Sequence, residues 1–102
     1  VYYWYELTRC DDGTTCYSVP QVGGLQGRIF WSGGGYYYVM GANYNTTGAD
    51  PGNGACNDKV DGSVMSAENT CESLGFTPPP PVVHRTVGVS VWAPTSSKTK
   101  AP

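Results

Sequence analysis

The sequence predicts an all-β domain: a small antiparallel barrel or sandwich of five to seven strands, with a proline-linked C-terminal strand. Three observations carry this. Short aromatic and β-branched runs recur between glycine-rich turn signals. Helical periodicity is almost absent. Four consecutive prolines, Pro78–Pro81, separate the body of the chain from a last alternating segment.

Val1–Arg9 ("VYYWYELTR") is aromatic and β-branched enough for a strand. Asp11-Asp12-Gly13 is a turn signal, and Thr14–Val19 reads as the returning strand. Pro20 stops it, and Gly23-Gly24 form a loop. Gln26–Ser32 and Tyr36–Ala42, joined through Gly33-Gly34-Gly35, give the strongest hairpin signal in the chain. Asn43–Gly54 is a polar, glycine-rich loop containing the sequon Asn45-Thr46-Thr47, which has meaning for a eukaryotic secreted protein. A short strand is expected near Lys59–Met65, then one helical turn over Ser66–Glu72 with Ser66 as cap. The prolines favour a stiff extended form. Beyond them Val83, Arg85, Val87, Val89 and Val91 alternate with His84, Thr86, Gly88, Ser90 and Trp92, the pattern of a half-buried strand. The expected organisation is a disulfide-supported β domain at residues 1–77, a polyproline linker at 78–81, a strand or arm at 82–94 and a polar tail at 95–102.

The strand faces are unusual. Val1, Tyr3, Tyr5 and Leu7 fall on one side of the first strand, while Tyr2, Trp4, Glu6 and Thr8 fall on the other. In the glycine hairpin Tyr36, Tyr38 and Met40 oppose Tyr37 and Val39, and Ile29 and Trp31 oppose Phe30. An antiparallel sheet with one solvated face alternates apolar with polar. Here neither face is solvent-seeking, so the second face needs a cover: another part of the chain, or another molecule. Charged residues are only 14% of the chain against roughly 25% in an average soluble domain, and aromatics are 13%. That composition favours a contact surface, since aromatics are enriched at interfaces. The expected contacts are Tyr2, Trp4, Tyr37, Val83, Val87, Val89, Val91 and Trp92.

Other classes are disfavoured. The formal charge is −2 and no basic stripe exists, so no nucleic acid is expected as partner. No apolar run reaches the roughly 20 residues of a membrane span, so no membrane is expected either. The absence of an initiator Met fits a processed product or a piece of a longer polypeptide. His84 is the sole histidine and has no nucleophile motif near it; no catalytic residue is expected. Adjacent Asp11 and Asp12 at a turn seldom converge on a substrate. An EF-hand template started at Asn57 finds Asp61, Gly62 and Glu68, but Lys59 occupies the third ligand position and the flanks are not helical. An irregular site using Asp50, Asp58 and Asp61 is the remaining metal alternative; no metal or cofactor is expected.

Cys10, Cys16, Cys56 and Cys71 lack C-x-x-C spacing, which disfavours zinc and redox roles. Two disulfides are expected, and with them an oxidising final location. Three pairings exist. The local one, Cys10–Cys16 with Cys56–Cys71, is favoured, subject to hairpin register: a loop centred on Gly13 places Cys10 opposite Cys16, whereas an Asp12-Gly13 turn puts them on opposite faces.

The string "YELTRC", a strand ending "CYSV", a glycine-led "GRIFW", an aromatic "YYYVMG" and a distal "NTC" resemble small β modules of tailed-phage virion proteins, which open with Y-x-L-T-x-C. The matching positions are Tyr5, Leu7, Thr8, Cys10, Gly27, Tyr38 and Cys71, so the resemblance covers residues 5–71. The long Asn43–Gly54 loop and the proline-linked end depart from the pattern. The resemblance implies a non-enzymatic structural virion protein, either capsid decoration (cement) or a fibre-type module. Its location would be virion or extracellular. Its expected partners are copies of itself and other virion proteins, with host surface glycan as a further one. The alternative is a secreted carbohydrate-binding module using exposed Tyr and Trp.

Overall fold

A computed structural model describes residues 1–77. Five strands occur in it: β1 (Tyr3–Arg9), β2 (Thr15–Tyr17), β3 (Ile29–Ser32), β4 (Tyr37–Asn45) and β5 (Gly62–Val64). They form one sheet in the order β2-β1-β4-β3-β5, every pairing antiparallel. The described residues are all-β, as their alternating runs require. A lone parallel bridge between Ser18 and Val60 ties the β2 edge to the chain just ahead of β5. The proline run, the 82–94 segment with Val83, Val87, Val89, Val91 and Trp92, and the tail lie outside the described residues.

The register of the first hairpin governs the disulfide pattern. It pairs Leu7 with Cys16 and Thr8 with Thr15. Carried to the tip, this leaves a four-residue loop, Cys10–Gly13. The Gly13 N–H donates to the Arg9 carbonyl at 3.0 Å, and the Arg9 N–H to the Thr14 carbonyl at 2.9 Å. Gly13 has φ 77, which glycine adopts without a Cβ penalty. With a side-chain period of two, Leu7 and Cys16 share one face while Cys10 lies on the other. The favoured local pairing is therefore incorrect. The bonds are Cys10–Cys71 and Cys16–Cys56, with Cα–Cα distances of 5.4 and 5.5 Å. They are nested in sequence and lie on opposite faces of the sheet.

One face is the core. Tyr5, Leu7, Cys16, Phe30, Tyr38 and Met40 are buried together there, with Tyr3, Leu25, Cys56, Val60 and Val64 packed around them. Tyr5 is wholly buried, yet its hydroxyl donates to the Val22 carbonyl at 2.8 Å and accepts the Leu25 N–H at 3.1 Å. A buried phenol needs such partners, and these hold the loop after β2 over the core. Ser18 is also fully buried; its hydroxyl accepts the Tyr5 N–H at 3.0 Å. Cys56 brings its neighbours along the outer edge of β2, where Ala55 N–H donates to Thr15 O and Val60 N–H to Tyr17 O. Gly54 allows this approach: with φ 62, a Cβ there would run into the Thr15 carbonyl.

Two expected boundaries move. β4 runs to Asn45 because β1 offers it a partner as far as Tyr3, so Asn43–Asn45 is strand and not loop. A bulge on β4 opposite Glu6 absorbs one extra residue, shown by the partners Tyr5–Asn43 and Leu7–Met40. The helical turn lies at Thr70–Gly75, not Ser66–Glu72. Thr70 and Ser73 exchange side-chain-to-backbone hydrogen bonds at 2.8 and 3.0 Å, the reciprocal arrangement of a capping box. Gly75 (φ 95) ends the turn, and Phe76 N–H returns to the Cys71 carbonyl. Ser66 instead anchors a separate turn with Asn69.

Candidate functional site

The outer face of the sheet carries Trp4, Glu6, Thr8 and Cys10 from β1 and its end, Ile29 and Trp31 from β3, and Tyr37, Val39 and Tyr44 from β4. Part of this face is covered from within the chain. The Cys10–Cys71 bond holds the Thr70–Gly75 turn against it, and the Phe76 ring lies 6.0 Å from that of Tyr37. Ile29, also on this face, is 1% exposed. The cover is incomplete. Trp31 and Tyr44 remain exposed, and Trp31 stacks on Tyr37 with a centroid separation of 6.4 Å.

The expected contacts separate accordingly. Tyr2 is exposed, 56% of its surface being open. Trp4 is half-buried, with the Lys59 ammonium 5.4 Å from its ring centroid. Tyr37 is half-buried between Trp31 and Phe76. Trp4 and Tyr44 are direct cross-strand partners at one end of the outer face, where Tyr17 meets Tyr44 edge-on at 6.0 Å. Trp31 and Tyr37 are partners at the other end. Tyr2 and Trp4 are thus not brought together with Tyr37. The five C-terminal contact residues lie outside the described part.

Between the hairpin tip and the Phe76 turn is a groove of about 420 Å³. Its floor and walls are Thr8, Val39, Phe76 and the Cys10–Cys71 bond; Asp11, Asp12 and Glu72 stand on its rim, and Thr77 lines it. Thr8 and Val39 are cross-strand partners. Sequence reasoning missed this groove, although the parity of Thr8 and Cys10 was readable, because only the Cys10–Cys71 bond brings the second wall to the first. A second concavity, about 300 Å³, is lined by Trp31, Gly33, Asp61, Gly62 and Ser63.

Several carboxylates are already engaged. Arg9 binds Asp11 through two contacts of 2.9 and 2.7 Å and sits 4.0 Å over the Tyr36 ring. The Asp11 hydrogen bond holds the guanidinium further on its charged side. Asp12 accepts the Thr14 N–H at 2.9 Å, which lowers its pKa below the usual carboxylate value. Asp50 is lowered chiefly by the Lys59 ammonium at 2.8 Å, then by the Gly52 N–H. Lys59 also donates to Asn53 Oδ1 at 2.9 Å. Asp50 is thus neutralised by a cation instead of completing a calcium loop. Among the described residues no group of three or more His, Cys, Asp or Glu side chains is placed to hold a metal ion. Burial raises the Tyr38 and Tyr17 phenols. Asn45 of the sequon is exposed, its side-chain oxygen accepting the Thr47 N–H and hydroxyl.

Two disulfides are consistent with an extracellular or secreted protein. No helix among the described residues is long and apolar enough to cross a membrane. The chain matches no family model, no curated protein and no solved structure.

Proposed function

We propose that this chain is a non-enzymatic structural module of a virion, decorating a capsid or forming part of a fibre, and that it acts through multivalent protein–protein packing. The observation that carries the reading is the outer face, where an aromatic surface and an apolar groove stay open beside a well-filled core. Such a surface is costly for an isolated monomer and useful on a lattice, where each weak contact gains from a high effective concentration. The resemblance of "YELTRC" and the strands after it to phage virion modules points the same way. Deleting Pro78–Pro102 tests it. Incorporation into particles should be lost while the remaining chain keeps its β circular dichroism; full incorporation of the truncated form would reject the arm as a contact, and a full-length chain that does not enter particles would reject the reading.

A second reading, a secreted carbohydrate-binding module, rests on Trp31. This residue is 42% exposed, its ring is stacked on Tyr37, and it shares a concavity with Asp61 and Ser63. An aromatic plate beside a carboxylate and a hydroxyl matches the apolar face and polar edge of a pyranose. Glycan-array binding that disappears in Trp31→Ala would establish this reading. No binding by the intact chain would remove it.

A further inference from the structure

The chain is electrically divided at its proline run. Residues 1–77 hold all eight Asp and Glu residues against Arg9, Arg28 and Lys59, a formal charge of −5. Residues 78–102 hold Arg85, Lys98 and Lys100 with no carboxylate, a formal charge of +3. The two parts are also complementary in apolar pattern. The outer-face groove has an apolar floor of Val39, Phe76 and the Cys10–Cys71 bond, and an acidic rim of Asp11, Asp12 and Glu72. Arg9 offsets part of that rim, lying 2.7 Å from Asp11 and 3.6 Å from Asp12, which still leaves it net negative. The 82–94 segment alternates Val83, Val87, Val89 and Val91 with polar residues, and it carries Arg85 among the valines.

We infer that the groove is the receptor for the Val82–Trp92 segment of a second copy of this chain. This rests on the packing function proposed above and names the two surfaces that perform it. The valines fill the apolar floor, and Arg85 meets the acidic rim. A neighbour's arm is favoured over the chain's own for a geometric reason. Thr77 itself lines the groove, so the chain departs from there. Four prolines favour an extended form that spans about 12 Å before the first valine. An arm returning to its own groove must reverse at once; an arm entering a neighbour's groove need not. Docking of this kind is head-to-tail, so copies join into a ring or an open row, depending on the rotation between them.

The experiment uses two full-length variants and native mass spectrometry, with circular dichroism to confirm that each is folded. One has a disabled arm, Val87→Asp with Val89→Asp. The other has a disabled groove, Thr8→Arg with Glu72→Lys, both at exposed positions. The unaltered chain should self-associate. Each variant alone should show at least a ten-fold weaker association. Mixed, they should form a 1:1 pair and stop there, because one intact arm meets one intact groove. Raising salt from 50 to 500 mM should weaken that pair several-fold. Variants that self-associate normally overturn the inference while leaving packing through another surface in place. Folded variants that are monomeric alone and stay monomeric when mixed overturn docking between copies. A monomeric unaltered chain at high concentration overturns both the inference and the packing function.

Discussion

Nested disulfides make a quantitative prediction. The inner bond, Cys16–Cys56, closes a separation of 40 residues, and the outer bond, Cys10–Cys71, one of 61. In the loop-entropy description a 40-residue closure restricts the unfolded chain by about 4 kcal/mol. Once it is made, the outer bond closes only the 21 residues by which the two separations differ. That adds about 3 kcal/mol. Removing one bond, as in Cys10→Ser with Cys71→Ser, should therefore cost about 3 kcal/mol, and removing both about 7 kcal/mol. A domain of this size has a total stability of roughly 4–12 kcal/mol, so the fully reduced chain lies near its unfolding threshold. Cys16→Ala with Cys56→Ala should cost somewhat more than the outer pair, because Cys16 is completely buried in the core and its removal leaves a void. The assay is urea denaturation followed by tryptophan fluorescence, for the oxidised, singly bridged and reduced proteins. Proteolytic mapping of the oxidised chain fixes the linkage. Unfolding midpoints that agree within error across all three forms would refute the argument, as would a Cys10–Cys16 peptide in the map.

Three further outcomes are expected. Ser18→Ala should destabilise by about 1–3 kcal/mol in the same assay, since it leaves the Tyr5 N–H buried without its acceptor; a change below error would contradict the hydrogen bond. Gly62→Ala should cost more than about 2 kcal/mol, because a Cβ there meets the Trp31 carbonyl in the β3–β5 ladder and must push the strands apart. The third concerns acid. Asp12, Asp50 and Glu68 have depressed pKa values, held by the Thr14 N–H, by Lys59 and by the Glu68 N–H with Ser66 respectively. Each binds fewer protons folded than unfolded, so its stabilisation is complete above the unfolded value of about 4 and is lost as pH falls through the lower folded value. Lys59→Met should return the Asp50 pKa toward normal, visible as an upward shift of its carboxyl titration by NMR; no shift would show that the ion pair is not formed in solution.

Much of the fold was legible because it depends on a local period. Alternation grouped Tyr5 with Leu7 on one face of β1 and Tyr38 with Met40 on one face of β4, without saying which face is the core, and the glycine run at 33–35 announced the β3–β4 hairpin. The same parity marked a second face that water would not satisfy. The groove was not legible, since its two walls come from residues 8–13 and 71–77 and meet through a bond that spacing alone does not choose. The helical turn was displaced for a similar reason: Ser66 and Thr70 are both acceptable caps, but only Thr70 finds a reciprocal partner in Ser73, next to the anchored Cys71.

By itself the sequence determined the strand class, the apolar stripes and the charge division at the prolines. Each is a property of neighbours along the chain. Tertiary structure alone decided which cysteines meet. Pairing Leu7 with Cys16 puts Cys10 on the far side of the sheet, and a covalent bond cannot pass through it. That one register produces the nested bonds, the turn that covers part of the outer face and the groove between that turn and the hairpin tip.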